Sequence, residues 1–473
     1  MIALKKYAYI IGIAGITACS TQRQLTLPEQ LKTPAVMGSQ QDTLSLAVLK
    51  QVFADEQLQQ LIDTALQSNF DLQAAMQRIE AAKANLLRSK RAMLPRVDVA
   101  LSAGVDRYGD YTLNGVGNFD TNLSPNISKD QRIPGPTPDY FAGLRSSWEA
   151  DIWGKLRHQK QAAYERLLGS MEGQRLLRTQ VVASVTGMYY ELLALDDERE
   201  IIKRNITLQE SALALVNIQK SAGRATELAV QQFHAQLLST KALLFGVQEQ
   251  IAALENQLSA LLGRLPQHIT RTGWDTDSLT HLSATGIPAS LLLHRPDIQQ
   301  AARELGATQK DLEAARLAFL PTLTITPYAG FNAFKANLLF QSPASLAWGI
   351  LGGLTTPLFN QGQLKAGYNT SRAGAMSAFY QYQQAVVNGY QETVTALNKV
   401  DNQQQAFEMK KKEVMVLKQA VSTANTLFST GYASYLEVIT AQKSVLEAEL
   451  AMINTRRNVY SGLVTLYRSL GGH

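Results

Sequence analysis

The chain has a single cysteine in 473 residues, so no disulfide can form within it. Past the N-terminal stretch it offers no window of about 18 uninterrupted apolar residues, which excludes a transmembrane helix. Any later part that spans a bilayer must then be a β-barrel, the other structure that satisfies its own backbone. Catalytic patterns are missing too. The six histidines, His158, His234, His268, His281, His294 and His473, are scattered and form no His-Glu-x-x-His pair. There is no Gly-x-x-x-x-Gly-Lys phosphate loop and no Gly-x-Ser-x-Gly elbow. The methionines are spread out, giving no metal relay, and the basic residues behind the net charge of +6 are dispersed, giving no nucleic-acid footprint. An enzyme is not expected, nor a cofactor or metal site.

What is present is a duplication. The run from Asn69 to Pro95 matches that from Arg295 to Pro321, with Asp71 to Asp297 and Pro95 to Pro321 both shifts of 226. Gly154 to Gly362, Gly223 to Gly431 and Gly263 to Gly471 are shifts of 208, so an 18-residue excess lies in the first copy between Pro95 and Gly154. Each copy reads as one structural unit made twice.

Residues 55–93 contain no Gly or Pro and are rich in helix formers, which predicts one long helix stopped by Pro95. Val97, Val99, Leu101 and Val105 then alternate with Asp98, Ala100, Ser102 and Asp106, a strand period. Residues 108–139, dense in Gly, Asn, Asp, Pro and Ser, predict a surface loop. In a second strand Ala142, Leu144, Trp148, Ala150 and Ile152 share one parity and Arg145, Glu149 and Asp151 the other. The second copy repeats the plan: Leu323 and Ile325 alternate with Thr322, Thr324 and Thr326, and Ile350, Leu354 and Leu358 lie in the return strand. From Gly154 to Ala222 there is no proline, predicting nearly one helix on the order of 100 Å long. Val181, Val185, Met188, Leu192 and Leu195 form a coiled-coil seam within it, and Leu244, Val247, Ile251, Leu254, Leu258 and Leu261 form another after Gly223.

Four strands do not close a membrane barrel, whose smallest common form has eight. The chain must therefore oligomerise if its strands span a membrane, two copies giving eight strands and three giving twelve. Lumen-facing positions accommodate Asp98, Arg145, Glu149 and Asp151, whereas a charge facing lipid near the midplane costs roughly 2 to 4 kcal/mol. Trp148 and Trp153 suit an interfacial girdle.

At the N-terminus, Lys5 and Lys6 precede an apolar stretch at 7–16 and the run Ile16-Thr17-Ala18-Cys19, which fits a secretory signal. The pattern resembles the lipobox of bacterial lipoproteins. That resemblance implies a signal peptide over 1–18, lipid on Cys19, and, because Ser20 rather than Asp follows, outer-membrane anchoring.

Trp148-Glu149-Ala150-Asp151-Ile152-Trp153-Gly154-Lys155-Leu156-Arg157 resembles the strand-to-helix junction of the TolC-like outer-membrane efflux family, lipoprotein branch. So does Thr356-Pro357-Leu358-Phe359-Asn360-Gln361-Gly362, while Arg295-Pro296-Asp297-Ile298, Ala315-Arg316 and Phe319-Leu320-Pro321 resemble its central signature. The likeness covers nearly the whole mature chain. It implies an α+β membrane protein: a homotrimer whose twelve-stranded outer-membrane β-barrel continues into a long periplasmic α-helical barrel, each chain built from two repeats. The organisation expected is a lipid-anchored segment 19–54, a first repeat 55–263 with a β-hairpin at 96–152 and a tip at 223, a linker 264–286, and a second repeat 287–473 with a hairpin at 322–358 and a tip at 431.

The same resemblance implies the role: a passive exit duct passing drugs or other small toxic compounds from a periplasmic adaptor and an inner-membrane transporter of RND type. A type I protein-secretion duct is the alternative within the class, and a structural periplasm-spanning coiled-coil lipoprotein the alternative outside it. The family docks its adaptor at the helical tips, which here are Gly223, Arg224 and Thr226 in the first copy and Gly431 and Ser434 in the second. Family members place acidic residues just inside the second tip, where three symmetry copies narrow the pore. Glu437 stands at the first such position, Thr440 at the second, and Ala229 supplies no charge in the first copy.

Overall fold

The computed structural model describes residues 25–29, 36–37, 53–274, 287–357 and 359–472. The signal segment, Cys19, most of 19–54, the end of the 264–286 linker and Leu358 lie outside the described residues.

The stretch expected as one helix over 55–93 is two, α1 (Glu56–Ser68) and α2 (Phe70–Arg91), parted at Asn69. Asn69 leaves the helical region at φ −64°, ψ 124°. Its Oδ1 accepts from the Leu72 N–H at 3.0 Å, capping α2, and its Nδ2 donates to the carbonyl of Leu261 at 2.9 Å. A short amide side chain that bonds nearby backbone competes with the helix ladder. Here the far partner lies 192 residues away, so the break is a tertiary event.

The chain then runs through β1 (Arg96–Asp106), α3 (Leu113–Leu123), β2 (Thr137–Ala150), α4 (Lys155–Ser221) and α5 (Glu227–Leu261). After the linker come α6 (Pro296–Leu317), β3 (Thr322–Ala333), β4 (Leu346–Thr355), α7 (Gln363–Thr430) and α8 (Tyr435–Ser469). The long helices α4 and α7 have 67 and 68 residues, and each is followed by a return helix of 35. Residues 107–136 connect β1 to β2 and residues 334–345 connect β3 to β4, so the 18-residue difference between the copies sits in this connection. The glycines at the 208-residue shift, Gly154, Gly223, Gly263, Gly362, Gly431 and Gly471, all have positive φ.

The 108–139 segment is not all loop. It contains α3, capped by Thr112, whose Oγ1 accepts from the Gly115 N–H at 3.1 Å. Asn122 closes the segment by bonding both backbone groups of Ile133 at 2.8 Å. Interleaved Gly and Asn obscured an apolar spacing of Leu113, Val116, Phe119 and Leu123 that is helical.

Two compact units divide the described residues. The first, residues 25–27, 81–167 and 304–379, holds one antiparallel sheet in the order β1-β2-β3-β4 and a small core of Leu312, Tyr368 and Ala375 with Phe319 and Leu25 against it. Arg166 ties its helices by donating to Asp311 at 2.5 Å.

The second, residues 28–29, 36–37, 53–80, 168–274, 287–303 and 380–472, is helical, with a two-residue strand pair Val36–Met37 against Ile287–Pro288. Its core takes Leu58 and Ile62 of α1, Val181, Val185, Tyr189 and Leu192 of α4, Val247, Ile251 and Leu258 of α5, and Tyr460 and Leu463 of α8. The expected seams are therefore the inner faces of one shared core. Among the described residues no helix is long and apolar enough to cross a membrane.

Candidate functional site: a two-faced sheet and two capped tips

Every charged residue in the four strands lies on one face. The register pairs Val99 with Leu144, Ala142 with Phe331, Leu144 with Ala329, and Ala329 with Trp348, which gathers the odd positions of β1 and β3 with the even positions of β2 and β4. That face carries Val97, Val99, Leu101, Leu144, Trp148, Ile325, Trp348, Ile350 and Leu354 and no charge. The opposite face holds Arg96, Asp98, Asp106, Asp139, Arg145 and Glu149, with Thr322, Thr324, Thr326 and Asn332 beside them. Apolar side chains on the first face are largely exposed, Val99 at 76%, Leu101 at 78% and Ile350 at 72%, so the chain itself does not cover them. Both outer edges of the sheet, β1 and β4, are unpaired among the described residues.

Glycine shapes the polar face. Gly143 and Gly330 are cross-strand partners, and a Cβ on either would lie 2.5 or 2.6 Å from backbone atoms of the other strand. The ring of Phe141 lies over both and fills the space their missing side chains leave. Tyr328 covers Gly349 in the same way.

Two expected strand positions are reassigned. The strand ends at Ala150, so Asp151 and Ile152 lie beyond it. Asp151 accepts from the Leu156 and Arg157 N–H groups at 2.9 Å each and so serves the start of α4, whose first donors have no partner within the helix. Glu149 pairs with Lys155 at 2.6 Å. The indole of Trp148 donates to the carbonyl of Met93 at 3.0 Å, and that of Trp153 to Pro321 at 2.7 Å, so each ring is oriented by backbone just past a helix end.

The tips are built alike. At the first, Gly223 (φ +73°) donates to the carbonyl of Lys220 at 2.9 Å and Arg224 to that of Gln219 at 2.8 Å. At the second, Gly431 (φ +83°) donates to Phe428 at 3.2 Å and Tyr432 to Leu427 at 2.8 Å. This pair of bonds, closed by a left-handed residue, ends a helix with its carbonyls satisfied. The returning helices start from a hydroxyl cap. Thr226 Oγ1 accepts from the Ala229 N–H at 3.2 Å, and Ser434 forms a reciprocal box with Glu437, whose carboxylate accepts from the Ser434 N–H. Val216, Ala229, Phe233 and Val438 pack together, so the two tips share one apolar cluster. Ala229 is fully buried there, while Glu437, at the matching position of the second copy, is exposed. Arg224, Tyr432, Leu228 and Leu436 also face solvent.

Three polar clusters of the second unit went unnoticed in the sequence. Arg295, only 6% exposed, donates to Asp297 at 2.8 and 3.0 Å, to Glu392 at 2.9 Å and to the carbonyl of Ser469 at 2.7 Å. Burial opposes its charge, but Asp297 and Glu392 prevail and raise its pKa. The Arg-Pro-Asp signature is thus a buried clamp on the end of α8. Arg271 bridges Asp196 and Glu255. Asp55 caps α1 and accepts from Tyr189 Oη at 2.7 Å. Burial would raise the Asp55 carboxyl, yet the bonds from Thr272, Tyr189, Leu58 and Gln57 hold it below its ordinary value. Burial, reinforced by Asp55, pushes the Tyr189 phenol up to about 12. Only the Arg-Pro-Asp run carried a signal for any of these.

The model of the family described as "Outer membrane efflux protein" matches residues 61–264 and 287–472. The chain is 27% identical over 464 residues to the pyoverdine export outer membrane protein OpmQ of Pseudomonas aeruginosa, covering 98% of this chain and 94% of that one. It is 26% identical to the probable outer membrane lipoprotein SilC of Salmonella typhimurium over 95% of this chain and 92% of the relative. The crystal structure of the MtrE outer membrane channel of Neisseria gonorrhoeae matches with a TM-score of 0.80 at 22% identity, covering 95% of this chain and 97% of that one. With a sheet of one charge-free and one charged face, helices of 67 and 68 residues, and a family match to both halves, the chain belongs to the outer membrane efflux protein family.

Proposed function

We propose that three copies of this chain form a passive outer-membrane exit duct for drugs or other small toxic compounds. The observation that carries this is the sheet with an exposed apolar face, a charged face and two open edges. In lipid, unpaired edges cost several kcal/mol per backbone group. Because the order β1-β2-β3-β4 is antiparallel and even in number, β4 of one copy meets β1 of the next in the antiparallel sense, and the sheet continues around a ring. Three copies give twelve strands with the charged face inward. Residues 55–263 and 287–473 are the two repeats of each chain, joined by the 264–286 linker.

Cys19, freed from the signal over 1–18, carries the lipid that anchors each chain to the outer membrane. Gly223, Arg224, Thr226, Gly431 and Ser434 present the tips to a periplasmic adaptor bound to an inner-membrane transporter of RND type, which supplies the energy. Three Glu437 carboxylates narrow the pore and favour cations, as rings of acidic side chains do. The relatives' names span pyoverdine and solvent export and cation efflux, which suits a duct that accepts what its pump delivers.

The test is purified full chain in planar lipid bilayers. A trimer with stepwise conductance is expected. Protein that forms neither trimer nor channel overturns the duct and favours a structural lipoprotein.

A further inference from the structure

We propose that the polar face of the sheet carries an anion-recognition station centred on Arg145, fitted to compounds that join a carboxylate to a flat aromatic body. This rests on reading that face as the wall of the duct. The Arg145 guanidinium lies 4.6 Å from the centroid of the Phe141 ring. Phe141 and Tyr328 meet edge to face at 6.2 Å between centroids, and Tyr328 is the direct cross-strand partner of Arg145. On the other side the register partner is Asp98, but that carboxylate is taken by Arg96 at 2.9 Å. Asp139 is likewise occupied, accepting from Asn332 at 2.7 Å. Among the described residues no carboxylate lies within ion-pair distance of Arg145. An exposed cation stacked on an aromatic floor is therefore left with its donors open.

Small residues seat the ring of Phe141, which in turn carries the guanidinium. The row Ala100, Gly143, Gly330, Ala347 runs across all four strands between the row of Arg145 and Tyr328 and the row of Phe141 and Asn332. Arg145 borders a concavity of about 510 Å³ that is also lined by Phe141, Tyr328, Asp139, Asn332, Ala347 and Leu351. A planar guanidinium offers two parallel donors to a carboxylate, which a lysine does not. The exposed ring of Tyr328 and the exposed side chain of Leu351 supply the apolar contact for an aromatic body, while buried Phe141 holds the guanidinium in place.

The probe is benzoate, with acetate as the anion without a ring and benzyl alcohol as the ring without a charge. In single-channel recordings of the full chain, benzoate is expected to reduce the current at concentrations where the other two do not. Arg145→Gln weakens that block about tenfold, the scale of one lost charged hydrogen-bond pair near a solvated surface. Asp106→Asn, a charge change on the same face that touches neither Arg145 nor Asp98, leaves it unchanged. If Arg145→Gln does not assemble, Arg145→Lys carries the test, since it keeps the charge and loses the planar fork; undiminished block in that variant overturns the station. Channels that conduct and are blocked equally with and without Arg145, or equally by acetate, overturn the station and leave the duct standing. Absence of any conductance overturns both.

Discussion

The carboxylate of Glu437 accepts a hydrogen bond from the backbone N–H of Ser434, while the Ser434 hydroxyl accepts from the backbone of Glu437. One residue therefore both starts α8 and, in the proposed trimer, narrows the pore. These tasks separate by substitution. Glu437→Gln retains a capping box and removes the charge. It is expected to keep wild-type stability while losing cation preference in bilayer recordings. Glu437→Ala loses both, with about 1 kcal/mol of helix stabilisation gone. Unchanged ion preference in Glu437→Gln would show that the carboxylate is a cap only.

The tip glycines have positive φ and no neighbour within 4 Å of where a Cβ would stand. Strain, and not a clash, is thus what a side chain brings. Gly223→Ala and Gly431→Ala are each expected to cost about 1 to 2 kcal/mol in the last turn and to weaken adaptor docking. With a single native cysteine, Tyr432→Cys gives a clean attachment point for a crosslinker at the second tip. Loss of the adaptor crosslink on adding Gly431→Ala is the expected result, and undiminished crosslinking would separate the turn from docking.

The apolar face is sensitive to charge and the polar face is not. Val99→Asp is expected to cost roughly 2 to 4 kcal/mol in lipid and to abolish trimer in the outer-membrane fraction. Ser102→Asp, on the same strand with opposite parity, leaves assembly intact. Equal trimer yields from the two variants, measured on gels of isolated outer membranes, would mean that the face does not meet lipid.

Arg295→Met removes the central cation of a buried cluster and leaves Asp297 uncompensated, with Glu392 keeping only Arg468. A loss of about 3 to 5 kcal/mol is expected, read as a lowered denaturant midpoint. The effect falls on stability and spares conductance per channel, because the clamp is buried in the helical unit.

Asp55 and Tyr189 set opposite pH limits. The Asp55 carboxyl sits below its ordinary 3.8, so its contribution to stability is present above that pH and lost as pH falls through the lower folded value. The Tyr189 phenol is raised from 10.0 to about 12, so its contribution is complete below pH 10 and lost as pH rises toward 12. Asp55→Asn is expected to flatten the acid limb of unfolding midpoint against pH, and Tyr189→Phe the alkaline limb.

Much of this molecule was legible because its signals are local or periodic. Strand parity showed the two faces, since side chains alternate whatever the neighbours do. Repeated glycines marked six positive-φ positions, because a backbone conformation selects the residue that tolerates it. The break at Asn69 and the helix α3 were missed. The first depends on a bond to Leu261 across 192 residues, and the second was masked by loop-like composition. Asp151 was assigned to the wrong task, since parity continues past a strand end while the geometry does not.

By itself the sequence determined the duplicated order of elements, the long helices, the turn glycines and the charge-free strand face, all of which follow from short-range sterics and periodicity. Only the tertiary structure decided which charges are spent. Asp98 is engaged by Arg96, Asp151 by α4 and Glu437 by Ser434, and Arg145 is left stacked on Phe141 without a carboxylate. Pairing depends on distances set by register and caps, and no spacing along the chain encodes them.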